Sequence, residues 1–126
     1  KFIRIQVDNA YDRAEAELVG KTIAGSPLVK TAFFASDPNW GRILAAIGRA
    51  PVNNLDVNLI SLWINDVNIL SNGNPSPDYR EQDGQLAMSA AEIVVRVALG
   101  RGNASVTILT CDLSYDYVKI NAEYRS

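Results

Sequence analysis

The chain has 126 residues, twelve basic against fourteen acidic, no histidine and a single cysteine, Cys111. Its length matches one domain with a sizeable core, no apolar run approaches the ~20 residues that cross a bilayer, and a formal net charge of -2 with interspersed signs argues against a protein devoted to nucleic-acid phosphates or anionic lipid. Without histidine, no Ser-His-Asp or Cys-His arrangement and no histidine metal site can be built from these residues, and one thiol makes neither an intrachain disulfide nor a four-cysteine zinc site.

The opening KFIRIQV alternates Phe2, Ile3, Ile5 and Val7 with polar residues and ends at the turn pair Asp8-Asn9, which predicts a first strand. It lacks an initiator Met and starts directly in the apolar pattern, so sequence upstream is expected to be missing. From Asp12, Ala14, Ala16, Leu18, Val19 and Ile23 recur at mostly helical intervals, and Gly25-Ser26-Pro27 reads as a stop. LVKTAFFAS is short and rich in Val, Thr and Phe, and is expected to be a strand. A second helix is expected from Asn39 to Arg49, ended by Pro51. Leu59 to Ile64 and Val67 to Leu70 form the arms of a hairpin around Asn65-Asp66. The polar stretch NGNPSPDYREQDG leads as a loop into a short helix around Tyr79 to Ala90, weakened by Gly84. EIVVRVALG and ASVTILTCDL flank RGN and predict a second antiparallel hairpin. In the tail, Ser114 as N-cap and Asp116 in the first turn favour a terminal helix with Tyr117, Ile120 and Tyr124 on one side. No repeat or linker interrupts residues 1–126, and the class is α+β: helices packed on one face of a mainly antiparallel sheet.

The stretch ASDPNWGRILAAIGRA, residues 35–50, admits two readings. Ser36 or Asp37 can cap a helix whose Trp40, Ile43, Leu44 and Ile47 form a buried stripe, with Gly41, Ala45, Ala46 and Gly48 allowing close approach to the sheet. Alternatively it is a binding loop presenting Asp37, Asn39, Trp40 and Arg42 to a ligand, with the helix N-terminus as an anion site. Asp37 already brings negative charge there, which favours the structural reading. Cys111 closes an apolar run without a neighbouring base and reads as a buried, inert thiol. Trp63 reads as half-buried packing, and GRGN lacks the strand-to-helix context of a phosphate loop. Asp78, Glu81, Asp83 and Glu92 have the chemistry to hold a divalent ion, but their spacing fits a solvated acidic face better. Asn121 and Ser126 offer a donor-acceptor pair suited to an amino-acid ligand, against the plainer reading as polar residues of an exposed tail.

KTIAGSPLVKTAFFASDPNWGRILAAIGRA together with the ending TCDLSYDYVKINAEYRS resembles the C-terminal part of ornithine acetyltransferases, the glutamate N-acetyltransferases of the cyclic arginine pathway. The likeness runs from KFIRIQV to the last residue. It implies a domain of the β chain of a self-cleaving precursor, partnered with the α chain and a second αβ unit in a heterotetramer. It further implies that an N-terminal threonine, outside this chain, carries acetyl from N2-acetylornithine to glutamate as an acyl-enzyme, and that some members also use acetyl-CoA. No cofactor or metal is implied. Sparse cysteine usage fits a reducing compartment, and a cytoplasmic location is expected. The resemblance assigns no catalytic residue here. Its substrate-binding positions fall on Asn121 and Ser126, where Ser stands for the family's usual Thr and keeps the hydroxyl. Two other readings stay open: a purely structural assembly domain, or part of an N-terminal-nucleophile hydrolase or aminopeptidase.

Overall fold

The computed structural model describes residues 1–124. In chain order the elements are β1 (Phe2–Ala10), α1 (Arg13–Ala24), α2 (Pro27–Phe34), α3 (Trp40–Arg49), β2 (Ser61–Ile64), β3 (Val67–Ser71), β4 (Asn74–Pro75), α4 (Glu81–Met88), β5 (Glu92–Ala98), β6 (Ala104–Cys111) and α5 (Tyr115–Glu123). The strands form one six-stranded sheet in the order β4-β3-β2-β5-β1-β6. β1 and β5 run parallel and the other pairs are antiparallel. The class is α+β, as expected. Ile3, Ile5 and Val7 of β1, Ile93, Val95 and Val97 of β5, and Leu62 and Ile64 of β2 point to one face and are fully buried. Val19 and Ile23 of α1, Phe33 of α2 and Ile43 and Ile47 of α3 join them in one core cluster. Each such side chain contributes about 1.5–3 kcal/mol by leaving water.

Two expectations are corrected. LVKTAFFAS is not a strand: Pro27–Phe34 is α2, with the Ser26 hydroxyl accepting from the Val29 amide at 3.4 Å and Pro27 in the first turn. Ser-Pro after Gly25 therefore ends one helix and starts the next, because a serine cap and a proline with fixed φ suit a helix N-terminus. The second correction concerns β5 and β6, which do not pair as a hairpin. Each pairs with β1, which lies between them: Val95 sits opposite Ile5 on one side, and Ile108 on the other. Local alternation identified both strands, but pairing is a long-range property that the short RGN spacer concealed.

The segment after β5 consequently has to arch over the end of β1. The Leu99 amide donates to the Asp8 carbonyl at 3.0 Å, and the Arg101 and Gly102 amides both donate to the Asn9 carbonyl at 2.8 and 3.2 Å. A Cβ on Gly102 would stand 2.6 Å from the Ala10 carbonyl oxygen, so only glycine passes. Asn9 takes a left-handed φ of 55°, and the β1–β6 register shifts between Val7 and Ala10. β1 thus continues through the expected Asp8-Asn9 turn as a bulge. Arg101 locks the arch: its Nε lies 3.0 Å from both oxygens of buried Glu15, and its terminal nitrogens donate to the Asn54 and Asn53 carbonyls at 2.7 and 3.1 Å. Glu15 Oε2 also accepts from the Tyr11 amide at 2.7 Å.

Arg101→Ala leaves the Glu15 carboxylate buried and without its cation, and is expected to cost about 3 kcal/mol, the lower end for such a loss because Arg101 is partly exposed. Urea unfolding should show it as a lowered midpoint at unchanged slope, with Arg101→Met/Glu15→Gln recovering part of the loss. A deficit below about 1 kcal/mol would mark the pair as an ordinary surface contact.

Candidate functional site

The tail helix α5 begins as expected, with the Ser114 hydroxyl accepting from the Tyr117 amide at 3.0 Å. Its root is held by the Leu113 amide, which donates to the Lys30 carbonyl at 3.2 Å. No residue of α5 is buried, and Tyr117, Ile120 and Tyr124 are all more than half exposed. Asn121 is exposed too, its Nδ2 donating to the Tyr117 carbonyl at 2.8 Å. The carboxamide lies along its own helix. Ser126, the other predicted substrate-binding residue, lies outside the described residues.

The stretch from Ala35 to Ala50 is structural in every side chain that was a ligand candidate. Neither Ser36 nor Asp37 caps α3. Asn39 does, its Oδ1 accepting from the Arg42 amide at 3.1 Å, while Asp37 accepts from Asn39 Nδ2 at 3.1 Å. Ser36 instead closes α2 with a left-handed φ of 54°. Arg42 donates to the Leu28 carbonyl at 3.0 Å, tying α3 to α2. Trp40 and Leu44 pack, half-buried, against the core. The close approach expected at Gly41 and Gly48 is absent, since a Cβ at Gly48 would meet nothing within 4 Å. It occurs at Gly20 of α1, where a Cβ would stand 2.8 Å from Ile108.

A concavity of about 580 Å³ with largely apolar walls lies between the Asn65-Asp66 turn and α4. Asn68 organises its floor: its Nδ2 donates to the Leu62 and Leu70 carbonyls at 3.2 and 2.9 Å, and its Oδ1 accepts from the hydroxyls of Ser71 and Ser76. Asn65 is more than a turn residue, because its Oδ1 accepts from the Val94 amide at 2.9 Å and so joins the turn to β5. Asp66, Asp78 and Asp83 stand exposed at the rim. Glu92 lies apart, beside Trp63 and Arg96 on the other sheet face. Among the described residues no three acidic or thiol side chains converge on a point where a metal would sit.

Tyr79 is the polar group that sequence reasoning missed. Its hydroxyl is buried without a hydrogen-bond partner among the described residues. It is wedged at Gly84, where a Cβ would overlap the hydroxyl and come within 2.8 Å of Pro38. Gly84 therefore permits the contact between α4 and the segment before α3. Burial pushes the phenol above its ordinary range, with Glu81, Asp37 and Asp83 adding to the rise. Lys1 is engaged in the opposite sense. Its ammonium donates to the Ser36 hydroxyl at 2.6 Å and to the Phe33 and Met88 carbonyls, at the C-terminal ends of α2 and α4. Burial lowers its pKa, opposed by Asp112.

What stands is a one-sided α+β layer carrying a projecting C-terminal helix. The same architecture is found in the crystal structure of the arginine biosynthesis bifunctional protein argJ from Bacillus halodurans, with a TM-score of 0.92 and 37% sequence identity over 98% of this chain and 58% of that one. The ArgJ family model matches residues 1–126. The arginine biosynthesis bifunctional protein ArgJ of Methylococcus capsulatus is 60% identical over all 126 residues, which make up 31% of that relative's length. The chain belongs to the ArgJ family, and it spans about a third of the curated relative it matches.

Tyr79→Phe removes a buried hydroxyl that has no partner among the described residues, so it is expected to leave stability unchanged or raise it by about 1 kcal/mol. Thermal unfolding checks the sign. A loss of more than about 1 kcal/mol would mean that the hydroxyl is satisfied in the native protein.

Proposed function

We propose that this chain is the C-terminal domain of the β chain of a glutamate N-acetyltransferase, and that its tail closes the substrate pocket. Family membership across every residue, at 60% identity to a relative named for arginine biosynthesis, carries the proposal. In the proposed reaction the hydroxyl of an N-terminal threonine, outside these residues, attacks the acetyl carbonyl of N2-acetylornithine. Its own α-amine takes the proton, the ornithine amine departs, and an acetyl ester remains. The glutamate amine then attacks that ester and leaves as N-acetylglutamate, with the hydroxyl restored. Backbone or side-chain donors elsewhere in the protein stabilise the oxyanion. The partners proposed are the α chain and a second αβ unit.

A histidine-free domain suits this division, since nothing in the reaction asks it for a general base. Its contribution would be recognition. Asn121 has a carboxamide that donates and accepts, and Ser126 a hydroxyl that does both, which matches the ammonium and carboxylate of an amino acid. With its Nδ2 on the Tyr117 carbonyl, Asn121 keeps Oδ1 for a substrate amine. The projection of α5 from the core supports the proposal, because a helix without buried residues can reach a neighbouring site.

Asn121→Ala and Ser126→Ala in the intact enzyme are each expected to raise KM for acetylornithine and glutamate about tenfold, the value of a hydrogen bond to a charged group, with a smaller effect on kcat. Steady-state kinetics in both directions checks this. Unchanged KM values would favour the second reading, an assembly domain that touches no substrate.

A further inference from the structure

Among the described residues all the packed helices lie on one face of the sheet, and the other face is bare. In register across it run Cys111, Phe2 and Glu92, then Leu109, Arg4 and Val94, then Thr107, Gln6, Arg96 and Trp63. Leu109 is 59% exposed and Phe2 38%. The two guanidinium carbons stand over aromatic rings, Arg4 Cζ at 4.9 Å from the Phe2 centroid and Arg96 Cζ at 4.5 Å from that of Trp63. Beside Trp63 and Arg96 the twisted sheet leaves a hollow of about 790 Å³. Cys111, expected to be buried, is exposed because β6 turns it onto the sheet face that no element among the described residues covers.

Three observations identify what covers this face. A mainly antiparallel sheet with one wet face ordinarily alternates apolar inward with polar outward, whereas Phe2, Val94, Leu109 and Trp63 place apolar and aromatic side chains on the outward face of four adjacent strands. The charge on the face is balanced, Arg4 and Arg96 against Asp8 and Glu92, with Arg96 and Asp8 paired at 2.7 Å. That suits neither a polyanion nor an anionic membrane. Stacked arginines and aromatics are instead the composition of a protein interface core. Finally, the chain amounts to 31% of the length of its relative, so a longer polypeptide of this family has ample sequence with which to form a second layer.

We propose that the bare face is the inner surface of a two-layer contact, covered by the remainder of the same longer ArgJ polypeptide, which places Leu109 and Phe2 in a second core. This rests on family membership and not on the role of the tail. The test uses the intact protein: maleimide labelling, with Cys111 located by peptide mass mapping, in native buffer and in denaturant. Cys111 is expected to label at least a hundredfold more slowly in the native protein, and to stay protected on dilution. Native labelling at the denatured rate overturns the proposal. Protection that disappears as copies separate on dilution also overturns it, in favour of a second copy as the cover. Leu109→Glu is expected to abolish soluble assembly, while Leu86→Glu, at a site 75% exposed on α4, is tolerated; a Leu109→Glu protein that assembles normally counts against the covered face.

Discussion

The fold depends on β1 being an interior strand with a parallel neighbour on one side and an antiparallel one on the other. Since β5 and β6 are joined by only a few residues, that connection has to cross the end of β1, and everything near the crossing is arranged to permit it. Gly102 removes the Cβ that would strike Ala10, Asn9 accepts a left-handed backbone, and Arg101 reaches down to Glu15. The Arg101 guanidinium touches the arch, helix α1 and the loop after α3 at once. Its loss would strand a buried carboxylate at the point where the sheet's order is decided, and the helices on the core face are aligned by that order.

Legibility in the sequence followed the range of the interactions. β1, α1, α3, the β2–β3 hairpin and α5 are visible because local rules govern them: alternation over Phe2 to Val7, helical spacing from Asp12, proline after Arg49, and the Ser114 cap. α2 was misread because Ser26-Pro27 has two meanings, stop and start, and only the cap hydrogen bond to Val29 distinguishes them. The β5–β6 hairpin was misread because a short spacer normally implies pairing, and the strand that intervenes lies some ninety positions earlier in the chain. The burial of Cys111 was inferred from an apolar run whose period is right but whose outward face is the bare one. The acidic residues Asp78, Glu81, Asp83 and Glu92 resolve the same way, since β5 carries Glu92 to the opposite side of the sheet from the helices.

The candidate site was less legible than the fold for a physical reason. Catalytic machinery announces itself by convergent titratable groups, and the described residues of this histidine-free chain bring no three acidic or thiol side chains together. Asn121 and Ser126 carry no pattern that separates them from any polar tail, and the geometry of Asn121 adds only a local bond to Tyr117. The assignment therefore came through resemblance, and the structure's contribution is to show a helix free of the core. Conversely, Tyr79 and Glu15 are features the structure reveals and the sequence conceals: each is defined by burial against residues distant in the chain.

A domain with one wet face on a partly parallel sheet and one helix that buries nothing has the anatomy of a part. Its own core suffices to align the sheet, but Leu109, Phe2, Ile120 and Tyr124 spend apolar surface on water without return. The two exposed regions serve different ends. The sheet face is broad, rigid and charge-balanced, which suits a permanent contact, whereas α5 is a single helix of nine residues hung from Leu113. A helix that short is marginal in water unless something packs on it. Its order then depends on the surface it meets, and in an enzyme of the proposed kind that coupling would let assembly and the closing of the substrate pocket be the same event.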